Sequence, residues 1–174
     1  MRPDSFIGTA DRPPAWITPC IIILLGSYRQ HYGLKNLFKT AIKPQYLALA
    51  EKFWSDYSMD TEFARSVPQV SDLLVDGFID RFTDDLNSQF LRRLAANSAT
   101  YWDYHSPIRL YYGLANEALY PSLATPPLAP RGRFAAGIPV AGAGHRGTFL
   151  ASLYGDSSVL NGGSTVVDWF NSVL

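Results

Sequence analysis

Apolar residues recur at two different spacings along the chain, and the change of period divides it. Tyr46, Leu47, Leu49, Ala50, Phe53 and Trp54 follow the three-and-four spacing of an amphipathic helix that ends near Met59 and Asp60. Ser71 or Asp72 is placed to cap a second helix carrying Leu73, Leu74, Phe78, Ile79 and Phe82, and Thr83 to cap a third. In that third helix Leu86, Phe90, Leu91 and Leu94 share one face, with Arg92 and Arg93 outside it. Upstream, Ile21 to Leu25 reads as a short buried element whose approach is broken by Pro13, Pro14 and Pro19, and residues 1–19 show no periodicity.

After Ser106 the texture shifts to short β-type runs. Pro107 opens and Gly113 closes a strand over Ile108 to Tyr112, and residues 117–132 read as a short helix plus loop. Ile138-Pro139-Val140 is a second strand, which Pro139 marks as an edge because proline has no ladder donor. His145 follows in a turn rich in glycine (Gly142, Gly144, Gly147), a helix starts over Thr148 to Tyr154, and Asp156 to Ser164 is a loop. Val166, Val167, Trp169 and Phe170 give a closing helix over Thr165 to Val173. The pattern predicts an α/β fold in three parts: an irregular segment 1–19, a helical region 20–104 and a strand-bearing region 105–174. Two strands are too few for a self-sufficient sheet.

Composition narrows the possibilities. The 174 residues are 47% hydrophobic and 14% aromatic, which excludes intrinsic disorder. Fifteen basic residues balance 15 acidic ones, so no charge footprint points to nucleic acid or an anionic membrane. No run approaches the roughly 20 apolar residues of a transmembrane helix, and the N-terminal stretch lacks the charge pattern and cleavage site of a signal peptide. The single cysteine, Cys20, rules out an internal disulfide and reads as a buried free thiol. His31 and His105 read as core-edge or surface residues, and Tyr101, Trp102 and Tyr104 either as core or as the wall of a pocket.

Chemistry concentrates in the last third. Tyr111-Tyr112-Gly113-Leu114-Ala115-Asn116-Glu117 with Pro121, then Gly144-His145-Arg146-Gly147-Thr148-Phe149 and the closing Asp168-Trp169-Phe170, resembles the end of an α/β-hydrolase of the secretory lipase or esterase type. In that family the second-to-last strand runs into Gly-x-x-Asp, and the catalytic histidine follows the last strand. The resemblance covers about residues 104–174, and more loosely 27–104 as a helical cap. It implies that the complete relative hydrolyses small-molecule or lipid esters through an acyl-serine, without cofactor or metal, and that relatives are often secreted or periplasmic. His145 then stands where the catalytic histidine belongs, and Asn116 where the family has its acid, with Glu117 next in line if the loop rotates. On the residues alone, His145 also has a plainer reading, a turn histidine that caps the following helix. An amide at 116 carries no charge and can offer its donor to the wrong imidazole nitrogen. Gly-x-Ser-x-Gly, the family's nucleophile elbow, occurs nowhere in the chain. The expectation is therefore a C-terminal half, inactive alone, whose partner is the missing N-terminal half. The alternatives are a non-catalytic helical interaction protein and the relic of a frame-shifted gene.

Overall fold

The fold described here is that of a computed structural model, which describes residues 14–57, 63, 66–79, 85–97, 106–118, 135–155, 158–161 and 163–173. The expected features at Met59 and Asp60, at Phe82 and Thr83, at 101–105 (with His105) and over 119–132 lie outside these residues. The chain forms two compact units that divide after Asn97, and it is mixed α/β.

The first unit is helical. It contains α1 (Ile17–His31), α2 (Leu37–Ala41), a 3-10 turn (Pro44–Tyr46), α3 (Leu47–Asp56), α4 (Val70–Leu73) and α5 (Asp85–Ala96). Pro19 does not hold α1 off: it sits third in the helix, where its missing N–H would have had no intrahelical partner anyway. Ile22, Leu25, Leu37, Phe38, Ile42 and Leu73 are wholly enclosed in the core. Gly26 lets the Trp54 ring of α3 lie directly on the α1 backbone. Cys20 is exposed rather than buried, because α1 turns Ile17, Ile21, Ile22 and Leu25 inward and leaves Trp16, Cys20 and Ile23 on the opposite face.

The helix expected from Ser71 through Phe82 does not form over its described part. α4 stops at Leu73, because Leu74 leaves the helix to make an antiparallel bridge with Ile42. Lys43 N donates to Leu73 O and Val75 N to Ala41 O on either side of that bridge. Gly77 then takes a left-handed φ of 76° in the turn that follows. α5 keeps its expected face: Phe90 is buried against Phe78 and Tyr28, while Arg92 and Arg93 are exposed. Its neighbour Asn87 is also fully buried, and its amide donates to the main-chain oxygen of Phe78.

In the second unit β1 (Ile108–Gly113) and β2 (Ala135–Val140) pair in parallel, with Ile108 opposite Ala135 and Gly113 opposite Val140. β2 starts three residues before the expected Ile138. Leu114 N donates to Val140 O, so the Val140 backbone faces β1 and that of Pro139, one residue back, faces away. The missing donor therefore falls on the outer side of β2, where it costs the pair nothing. α6 (His145–Tyr154) and α7 (Val166–Val173) complete the unit. Val140, Ala143 and Leu160 make a small core with Tyr111, Ile138, Ala151 and Val159 packed on it. Arg109 Nη1 donates to Ser164 Oγ at 2.6 Å and Tyr111 Oη to Ser164 O at 2.8 Å, tying β1 to the segment before α7. Thr165 caps α7 by accepting from Asp168 N at 3.1 Å and donating to the Asp168 carboxylate at 2.7 Å. Among the described residues, no helix is long and apolar enough to cross a membrane.

Replacing Asn87 with Ala strands the buried carbonyl of Phe78. The expected cost is about 1–3 kcal/mol, read as a lower urea midpoint for the helical unit.

Candidate active site

The carboxyl ends of the two parallel strands put their following loops side by side. Leu114 N donates to Val140 O and Ala115 N to Ala143 O, both at 3.1 Å, so the loops are zipped together for a further step beyond the sheet. Gly113 permits this. A β-carbon there would lie 2.2 Å from both Ala143 O and Thr148 Oγ1, far inside contact distance. Gly142, with φ 64°, supplies the left-handed residue that turns the chain out of β2 toward His145.

The zipped loops bring Asn116, Glu117 and His145 together. The Asn116 side chain forms a tight turn in which its Oδ1 accepts from Ala118 N at 2.9 Å. That bond fixes the amide's orientation and leaves Nδ2 facing His145 Nδ1 at 3.5 Å, the long end of hydrogen-bonding range. An amide nitrogen can only donate. The contact is therefore a hydrogen bond in the neutral tautomer that carries its proton on Nε2 and offers the Nδ1 lone pair.

Glu117 points elsewhere. Its Oε2 accepts from the main-chain N–H of His145 at 2.9 Å. That hydrogen bond holds the carboxyl below its ordinary value, helped by the main-chain amide of Glu117 itself; burial opposes the shift, and the charge of the His145 ring adds a lesser lowering.

His145 is the first residue of α6, not part of a turn ahead of a helix beginning at Thr148. Gly144 holds the cap position without a side chain, and the buried Thr148 hydroxyl donates to Gly144 O at 2.7 Å. Thr148 is legible in the sequence as a motif member and helix start, but not its bond to Gly144; the signal for that is the four-residue step from Gly144, which places a hydroxyl under the carbonyl at the helix start. Arg146 is exposed, and so is Phe149. His31 lies exposed at the end of α1 in the first unit. Among the described residues, no group of three or more His, Cys, Asp and Glu side chains is placed to hold a metal ion.

The arrangement has one chemical competence. It holds an imidazole at the mouth of two parallel strands and presents a hydrogen-bonding group to its Nδ1. Compared with protein-family models, with curated proteins and with solved structures, the chain matches none.

Gly113→Ala forces the two loops apart and is expected to destabilise the second unit by about 1–3 kcal/mol in chemical denaturation. The Glu117 carboxyl titrates lower in the folded chain than its ordinary 4.5, so its stabilising bond is complete above that value and is lost as the pH falls through the lower folded one. The protection factor of the His145 amide should therefore hold steady from about pH 8 to about pH 5 and decline in more acid solution. Glu117→Gln should remove the decline.

Proposed function

We propose that residues 106–173 are the acid-and-histidine end of an α/β-hydrolase-type fold of carboxylic-ester hydrolase lineage, and that the helical first unit corresponds to the cap of such enzymes. The observation that carries this reading is the meeting of Asn116 with His145 Nδ1 at the carboxyl ends of adjacent parallel strands. Those two positions, 29 residues apart, are where the resemblance puts the acid and the base.

In ester hydrolysis the imidazole takes the serine proton on Nε2 as the serine oxygen attacks the ester carbonyl. It returns the proton to the departing alcohol, and repeats the exchange with water to release the acid. A carboxylate accepting from Nδ1–H keeps Nε2 free for that work and stabilises the imidazolium. Asn116 reverses the arrangement. With its donor on Nδ1, the ring's proton is on Nε2, where the serine proton would have to go. In a serine protease the same exchange of acid for amide lowers turnover about 10⁴-fold. The chain also has no Gly-x-Ser-x-Gly. We therefore take it to be a half-site that does not hydrolyse esters alone, with an N-terminal hydrolase half as the partner that would supply the nucleophile.

The test is the ring's tautomer. In ¹⁵N-labelled protein at alkaline pH, the His145 nitrogens should report Nε2–H in the natural chain and Nδ1–H after Asn116→Asp. An unchanged tautomer in the variant would sink the pairing. The natural chain should also give no covalent labelling by a fluorophosphonate and no turnover of a p-nitrophenyl ester; labelling at any serine would show that the chain carries its own nucleophile.

A further inference from the structure

Three features of the second unit converge on Glu117 in a way that its neighbour's role does not require. First, α6 has no conventional cap: Gly144 stands at the cap position with no side chain, so the helix's first amide, that of His145, depends on an acceptor from elsewhere. Second, the acceptor is the Glu117 carboxylate from the loop after β1, 28 residues away, at 2.9 Å. Its negative charge also sits well at the positive end of a helix. Third, residue 144 puts no side chain in the carboxylate's way: a β-carbon there would lie 2.7 Å from Glu117 Oε2, so a side chain at 144 would make the carboxylate shift.

Both ends of the contact are themselves held. On one side the turn closed by Asn116 Oδ1 and Ala118 N has Glu117 as its middle residue. On the other, Thr148 donates to Gly144 O through its main-chain N at 2.9 Å and through its hydroxyl at 2.7 Å. The His145 backbone is thus clamped between two anchored loops, and only its side-chain torsions remain to set where Nδ1 stands. Adjacent residues divide the work on one histidine, Asn116 meeting the ring and Glu117 the main chain.

We propose that Glu117 is a positioning residue: its carboxylate latches the His145 main chain, through the gap that Gly144 leaves, and so sets the imidazole against position 116. The proposal rests on the reading of 116 and 145 as an acid–histidine pair. It gives Glu117 a role other than substitute acid, since its Oε2 meets the main-chain amide and not the ring.

The experiment uses the full chain, ¹⁵N-labelled, and reads two quantities for His145: amide exchange and ring tautomer. Glu117→Ala should speed His145 amide exchange about five- to tenfold and turn the single Nε2–H ring into a mixture of tautomers, while the amides of Leu150 to Tyr154 keep their protection. Gly144→Ala should do the same with Glu117 intact, which guards against a folding defect peculiar to either variant. Glu117→Gln, whose amide oxygen still accepts, should preserve the tautomer. If Glu117→Ala and Gly144→Ala speed the amide but leave the tautomer untouched, Glu117 is a helix cap and the positioning role is overturned; no effect on either quantity overturns the latch as well. Failure of the pair itself shows separately, as an Asn116→Asp variant in which the ring does not change tautomer while Glu117→Ala still speeds the amide.

Discussion

The second unit depends on how closely the last residue of β1 approaches the turn after β2. Gly113 lies opposite Val140 in the parallel register, and the space its side chain would fill is taken by Ala143 O and the Thr148 hydroxyl. Because that approach is so close, the hydrogen bonds of the strand pair continue past the strands into Ala115 and Ala143. Residues 116 and 117 then emerge directly over the start of α6. One missing β-carbon therefore fixes the spacing of every group in the candidate site. Among the described residues Val140, Ala143 and Leu160 centre the core below it, and the backbone hydrogen bonds between the loops define the site above.

Within that frame, the chemistry turns on which atoms donate. Asn116 is orientated by the bond its side-chain oxygen accepts from Ala118 N, which turns its donor nitrogen toward the ring. Glu117 brings the charge that Asn116 lacks, and its carboxylate accepts from the histidine's main chain instead. The residue that faces the ring is thus an amide, and the carboxylate beside it is turned to the histidine's main chain.

Much of this was legible in the chain, for identifiable reasons. The β1 run Ile108 to Tyr112 is rich in β-branched and aromatic residues and bounded by Pro107 and Gly113, so both its ends were marked. The start of β2 was hidden because Ala135, Ala136 and Gly137 carry no strand signal of their own and are set by pairing with β1. α6 began unannounced at His145, since Gly144 and Gly147 mask a helix whose first amide is capped from a distant loop. In the helical unit the break at Leu74 comes from Ile42, 32 residues earlier, which no local pattern records. The exposure of Cys20 was unreadable for another reason: a helix apolar on nearly every side gives no signal of which face is turned out. At the site, positions 116 and 145 were singled out by the resemblance, and the structure brings their side chains to 3.5 Å. The partner of Glu117 was not, because a main-chain amide has no letter in the sequence.

The bond between Glu117 and His145 also says something about order of assembly. It closes a loop of 28 residues, an entropy cost of roughly 3 kcal/mol for a flexible chain, against the roughly 0.5–1.5 kcal/mol that one such bond returns. It cannot draw its own ends together. The parallel strands must already be in register before the carboxylate finds the amide, and on opening, the latch can release while the strands stay paired. The latch therefore forms after the strands pair and can open before they part, so His145 can be freed by a local fluctuation far smaller than unfolding of the sheet.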